Sequence, residues 1–390
     1  MDREVLKELS AIANGPFDRL RVWKSKTGKK TIGSTLADVP EELVHAAGLL
    51  PFTILGTTLP IRHAASQLPD NCCSLDRSNL ELVQTYAKDF FVGFILPQVD
   101  DTSQHLSDIW RRSVPCDYFE SFLIPRQVNR PSARSWLRDE IRRLKGSLES
   151  YTGRAITDEA LRESIRLYNE NRRMLRDLYE KARRSPGLLS NRQRFEAIKS
   201  SMFYPKEEHN ELLRRLLASM TDGADERSGR GRSGAGKSSP PRLVLSGIVW
   251  EPPEILSILD ESGAVVVGDD LCEGTRYIEA DVPVEGSPVD ALVDRHFMKG
   301  PFSPIHDEGE KILENLVRVA RDGNADGVLY IHVKFNESQD YDLPDLKRGL
   351  DREGIPMLVL DTEFQTTHLA QMKTRIQAFL ESLPARSAAR

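Results

Sequence analysis

Short apolar runs alternate with longer amphipathic stretches along this chain, most clearly in its last third. LVLSGI reads as a strand, PPEILSILDESG as a helix stopped by Gly263, and AVVVGDD as the next strand. A helix at ILENLVRVARDG, a strand at GVLYIHVKF, a helix near LPDLKRGLDREG, a strand at IPMLVLD and a final helix at LAQMKTRIQAFLESL continue the series. This succession is the pattern of an open, doubly wound α/β domain, in which ligands lie beyond the carboxyl ends of the strands. The segments VKFNES, around Phe335, and DTEFQTT, after Leu360, are therefore where a site is expected.

The N-terminal part repeats the pattern more faintly. Residues 1–30 predict a helical lead-in and a basic turn, KSKTGKK. In DVPEELVHAAGLLPFTILG, Asp38 is expected as a helix N-cap and Pro40 at the first helical position. Glu41 and Glu42 follow in the first turn, where the helix dipole favours carboxylates. Gly48 ends that helix, LLPFTILG follows as a short buried strand, and FFVGFILP (Phe90–Pro97) is a second strand. Residues 135–185 predict a long, charged helical region interrupted near Thr152–Gly153. Leu161, Ile165, Leu167, Leu175 and Leu178 fall close to a helical repeat, as in an amphipathic connector between two lobes.

The expected fold class is α/β, with two lobes, each an open, mostly parallel sheet with helices on both faces, joined by a charged helical region. The expected divisions are an N-terminal α/β lobe at 1–134, a helical connector at 135–221, a flexible Gly/Ser/Pro linker at 222–242 and a C-terminal doubly wound lobe at 243–390. A chain of 390 residues suits such a division, since domains hold roughly 100–200 residues each.

Composition narrows the function classes. Hydrophobic residues make up 39% and charged residues 29%, as expected of a soluble globular protein, and the formal net charge of −5 argues against nucleic acid as a partner. No apolar run approaches the roughly 18 residues that cross a bilayer. The start, MDREVLKELS, lacks the apolar core of a signal peptide, so no membrane partner and a cytoplasmic location are expected. Cys72, Cys73, Cys116 and Cys272 are too few and too scattered for a disulfide framework, and no CxxC pair occurs.

GRSGAGKSS fits the phosphate-cradling pattern G-x-x-x-x-G-K-[ST] through Gly231, Gly236, Lys237 and Ser238. A working loop of that kind needs a strand before it and a helix after it. Here TDGADERS precedes it, and the prolines of SPPR oppose a helix begun at Lys237. From Asp222 to Arg242, Gly, Ser and Pro supply 11 of 21 residues, too little apolar surface to offset the entropy of ordering. The match reads as a linker, and no bound nucleotide is expected.

Several segments together resemble one family: DVPEELVHAAGLLPFTILG, CSLDRSNLELV, VPCDYFESFLIPR, ITDEALRESIRLYNENRRML, SGIVWEPPEILSILDESGAVVVGDDLCEGTRY, ADGVLYIHVKFNESQDYDLPDLKRGLDREGIPMLVLDTEF and QMKTRIQAFLE. In this order they look like the 2-hydroxyacyl-CoA dehydratase and benzoyl-CoA reductase family, particularly its smaller, C-type reductase subunit. The resemblance covers nearly the whole chain except the linker. It implies a subunit that pairs with a homologous sibling and acts on an acyl-CoA by low-potential electron chemistry, through a ketyl radical or by ring reduction. It also implies a [4Fe–4S] cluster held by three cysteines, and a separate ATP-dependent iron–sulfur activator protein. The alternative reading is a cluster-deficient, non-catalytic paralogue that serves as scaffold or acyl-CoA-binding partner.

Carried over residue by residue, the resemblance implies Cys73 of CSLDRS as the first cluster ligand. The second ligand position, after a strand, holds Val99, and the third, in KFNE, holds Asn336. Neither side chain replaces a thiolate. Cys72, Cys116 and Cys272 read as free thiols rather than substitutes. Asp269, Asp270, Arg276 and Tyr277 either line an acyl-CoA cleft or cap a helix and pair internally. His45 reads as a packed or solvated histidine. Glu363 is within reach of an interlobe cleft, and Arg375 either binds an anion or pairs within its helix. No catalytic residue is assigned.

Overall fold

A computed structural model describes residues 1–36, 38–87, 89–185, 187–220, 239–306, 310–364 and 369–384. The P-loop-like residues 231–238 and the linker residues 222–238 lie outside the described residues. Two four-stranded sheets, parallel throughout, carry the fold. The first contains β1 (Thr31–Ser34), β2 (Leu50–Thr53), β3 (Gly93–Gln98) and β4 (Tyr118–Leu123) in the order β2-β1-β3-β4. The second contains β5 (Arg242–Gly247), β6 (Val265–Asp269), β7 (Gly327–Val333) and β8 (Met357–Thr362) in the equivalent order β6-β5-β7-β8. In each, strand order reverses at the first strand, which opens a crevice at the carboxyl ends beside it.

The chain opens with α1 (Arg3–Asn14) and α2 (Pro16–Thr27). Helices α3 (Glu41–Ala46), α4 (Ser74–Tyr86) and α5 (Asp101–Ser113) connect the strands of the first sheet. Four helices separate the sheets: α6 (Pro131–Thr152), α7 (Asp158–Arg184), α8 (Asn191–Ser201) and α9 (Lys206–Ser219). The second lobe adds α10 (Glu254–Glu261), α11 (Thr275–Ile278), α12 (Pro288–Met298), α13 (Lys311–Asp322), α14 (Glu337–Arg352) and α15 (Leu369–Ser382). The break expected near Thr152–Gly153 is real: Gly153 takes φ 66° and closes α6, while the Thr157 hydroxyl accepts from Ala160 N at 3.1 Å to open α7.

Strands β1 and β4 escape the apolar pattern. β1 has only Ile32 as a large apolar residue, yet all four of its positions are buried, because it lies inside the sheet between β2 and β3. β4 is an edge strand whose middle residues are only partly covered. The expected N-cap at Asp38 is corrected. Pro40 precedes α3, and the buried Asp38 carboxylate instead meets Arg276 at 3.3 Å and Lys299 of the second lobe. A buried carboxylate needs a full countercharge, which one helix dipole does not supply.

Candidate functional site

The loop between β2 and α4 reaches across to the carboxyl ends of β7 and β8. Ser74 N donates to Lys334 O at 3.0 Å and Ser74 Oγ to Thr362 O at 3.3 Å, anchoring the start of α4 on the second sheet. Cys73, immediately before α4, receives a hydrogen bond on Sγ from Asn336 Nδ2 at 3.7 Å. Val99, just past β3, is 2% exposed and belongs to the same apolar cluster as Cys73, Val333 and Phe364. Cys73 and Asn336, from distant parts of the sequence, therefore meet where the two sheets face each other, and Val99 is buried in the apolar cluster that surrounds Cys73.

The loops that deliver them are conformationally costly. Phe335 and Phe364 hold φ values of 63° and 65°, a region that costs a non-glycine residue roughly 1–3 kcal/mol. Tertiary contacts over-determine both loops. Asn336 Oδ1 accepts from Gln339 N at 3.0 Å to cap α14, and Gln339 Oε1 accepts from Val333 N at 2.9 Å. Phe364 presses on Gly56, where a Cβ would lie 3.0 Å from the ring and 2.7 Å from Ser78 Oγ. With φ 73° at Gly56 as well, only glycine fits there.

Burial raises the acidic groups of this corner. Burial first, and then the Asp76 carboxyl, push the Cys73 thiol well above its ordinary value. Burial and the nearby Asp100 carboxylate push Asp76 up to about 8. Burial likewise raises Cys72, to about 12, and also Cys116 and Cys272. A single thiol, with a valine and an amide at the other two positions that the resemblance implies, does not fit a three-cysteine cluster. Among the described residues, no group of three or more His, Cys, Asp and Glu is arranged to hold a metal ion.

An interlobe cleft of about 420 Å³ opens on the other side of Phe364. Phe52, Phe203 and Phe364 give it an apolar wall, and Arg192 and the Lys199–Glu251 ion pair line its polar side. Its lining comes from the turn between α1 and α2, the carboxyl end of β2 with the loop that follows, α8 and the loop after β5, beside the strand-order reversals of both sheets. Such a cleft suits a small, largely apolar group with one polar end.

The remaining sequence candidates mostly hold the lobes together. Asp269 Oδ1 accepts from Thr275 N at 2.7 Å, which is helix capping, while Arg276 pairs with Asp38. Tyr277 OH donates to Glu41 at 2.7 Å and lies 2.8 Å from Lys206 Nζ. Glu42 pairs with Arg172; burial alone would raise its carboxyl, but Arg172 and Arg295 overcome this and hold it down to about 2. Burial lowers Lys206 to about 8 against the pull of Glu41. His45 bridges Ser164 Oγ at 3.0 Å and Glu207 at 3.2 Å. Glu363 is exposed and pairs with Lys334; Arg375 donates to Val359 O at 2.7 Å rather than to a carboxylate. Sequence reasoning missed Arg172, Asn169 and Asn171, buried polar residues on the inward face of α7. Their polarity reads as solvent-facing until α3 and α9 cover them.

The family model described as 2-hydroxyglutaryl-CoA dehydratase, D-component, matches residues 37–383. The chain is 29% identical to the lactoyl-CoA dehydratase subunit beta of Anaerotignum propionicum, over 97% of this chain and 98% of that one. It is 27% identical to the (R)-phenyllactyl-CoA dehydratase beta subunit of Clostridium sporogenes, over 95% and 96%. It is 26% identical to a subunit of the benzoyl-CoA reductase of Thauera aromatica, over 94% of each. No helix among the described residues is long and apolar enough to cross a membrane.

Proposed function

Since the chain belongs to the 2-hydroxyglutaryl-CoA dehydratase D-component family, we propose that it is the β-type subunit of a dehydratase or aromatic-ring reductase acting on a CoA thioester. The observation that supports this reading is the contact of Asn336 with Cys73 at the facing carboxyl ends of the two sheets, with Val99 in the same apolar cluster as Cys73, in a chain matched along almost its whole length. These are the three positions at which the resemblance implies cluster ligands. Cys73 is the one that retains a thiol. The low-potential electron chemistry is assigned to a homologous sibling subunit and to the ATP-dependent iron–sulfur activator that serves it.

Within this division of labour, the present chain contributes fold and shape. Its lobes close a water-poor corner around Cys73, and its interlobe cleft receives the acyl end of the thioester. Lys199 and Glu251 stand at the polar side of that cleft to orient a carbonyl or hydroxyl group. A second reading is supported by Val99 and Asn336: a cluster-deficient paralogue that serves as scaffold or acyl-CoA binder without turnover. The divisions 1–134, 135–221, 222–242 and 243–390 are proposed as lobe, connector, linker and lobe.

Anaerobic co-purification with the sibling subunit tests the proposal. Iron and sulfide confined to the sibling, with CoA-thioester turnover lost when this chain is omitted, is the expected result. Turnover by the sibling alone would leave the scaffold reading. Iron and acid-labile sulfide stoichiometric with this chain would overturn the assignment of the cluster.

A further inference from the structure

A second concavity lies at the carboxyl ends of β3 and β4, distinct from the interlobe cleft. It has a volume of about 370 Å³ and is lined by Gln98, Gln104, Arg126, Gln127, Arg130 and Trp136, among others. Small-ligand pockets run from roughly 300 to 1,000 Å³. Although the whole chain carries a formal charge of −5, no carboxylate among the described residues lines this pocket.

The distribution of paired and unpaired arginines is selective. On α6, which forms one wall, Arg134 meets Asp294, Arg138 meets Asp290, and Arg143 meets Glu120 and Glu140. Arg126 and Arg130, at the mouth, have neither an ion-pair nor a hydrogen-bonding side-chain partner among the described residues. Trp136 stands beside them with 55% of its surface exposed, although α6 buries other large apolar residues. Two free guanidinium forks suit phosphate oxygens, an exposed indole offers a stacking face, and glutamine amides can read the edge of a base.

The geometry points to a site for the phosphorylated adenosine end of a CoA thioester. This inference rests on the CoA-thioester reading above and deepens it by giving the nucleotide end its own residues, apart from the acyl cleft. Position fits as well, since open α/β sheets take ligands beyond the carboxyl ends of their strands. Gln98, in the pocket wall, directly precedes Val99 of the corner where the lobes meet.

The test uses the full chain, free CoA, adenosine 3′,5′-bisphosphate, ATP and pantetheine, read by calorimetry and by tryptophan fluorescence. CoA and the bisphosphate are expected to bind and to quench fluorescence. Trp136→Phe should remove most of the quench, and the double variant R126E/R130E should weaken binding at least tenfold, by an amount that shrinks as salt rises. Pantetheine should not compete. Unchanged CoA affinity in R126E/R130E would overturn this site while leaving the CoA-thioester reading intact. Equal affinity for ATP would overturn the assignment to CoA. Absence of any binding of CoA to the wild-type chain would remove both readings together. All three altered side chains are exposed, so circular dichroism and the melting midpoint should match wild type.

Discussion

The Asn336 amide hydrogen-bonds the Cys73 sulfur across 3.7 Å, joining the start of α4 to the end of β7 over a sequence separation of 263 residues. This contact occupies with a neutral donor the place where the family resemblance implies the third thiolate. Asn336 simultaneously caps α14 through Gln339 N, so the residue serves fold and site together.

If only the donor set excludes a cluster, restoring it should admit one. The double variant Val99→Cys, Asn336→Cys is expected to take up iron and sulfide on anaerobic reconstitution, with broad absorbance near about 400 nm from sulfur-ligated iron. Wild type and the triple variant that also carries Cys73→Ser should not. Equal iron uptake by the double and triple variants would show that Cys73 is not part of the site.

Acid should loosen the packing of α3 on α7. Glu42 has its ordinary value of 4.5 lowered to about 2 in the fold. Above pH 4.5 its ionised form therefore contributes stability in full, and this contribution is lost as pH falls from 4.5 through about 2. The shift corresponds to about 3 kcal/mol. Urea melts at falling pH should show this decline in wild type and a shallower one in Glu42→Gln.

Removing only one member of that pair should be worse than removing both. Arg172→Met leaves the buried Glu42 carboxylate without its closest countercharge, an arrangement that costs about 3–5 kcal/mol. The double variant Glu42→Leu, Arg172→Met should recover much of that loss. A double-mutant cycle on denaturant midpoints measures the coupling, and strict additivity would count against the pair as a unit.

Asp76 should give the opposite pH signature. Its value rises from 3.8 to about 8, so across that window the folded chain holds a proton that the unfolded chain has released. Its contribution is complete below pH 3.8 and is lost as pH rises through about 8. Asp76→Asn, neutral throughout, should flatten the fall in stability between pH 3.8 and about 8. A profile parallel to wild type would place the proton elsewhere.

The left-handed backbone at Phe335 offers a test of stored strain. Phe335→Gly relieves a conformation that costs an L-residue about 1–2 kcal/mol, against about 0.5–1 kcal/mol of added chain entropy. Because this side chain is 37% exposed, little packing is lost, and the melting midpoint should hold or rise. A marked drop would mean that the ring itself anchors the loop.

Much of the scaffold was legible because it rests on local patterns. The alternation after Leu243 anticipated β5 to β8, with α10, α13, α14 and α15, since each element buries an apolar stripe of its own. β1 was hidden because TIGS contains a single large apolar residue and is buried by its neighbours rather than by its composition. Asp38 was misread for a similar reason: the DVP motif looks like a cap until Arg276 and Lys299, more than two hundred residues away in sequence, arrive to claim the carboxylate.

The sequence by itself determined the α/β class and the two-lobed plan, and through the family resemblance it singled out Cys73, Val99 and Asn336, a set with one thiol where the resemblance implies three. These depend on residue type and order, which the chain carries openly. Only the tertiary structure decided that Asn336 meets Cys73, that Asp38, Glu41 and Glu42 face inward, and that Arg126 and Arg130 lack the carboxylates their neighbours hold. Those outcomes depend on which distant groups share a low-dielectric space, and a charge discloses its role only when its partners and its exposure to water are fixed.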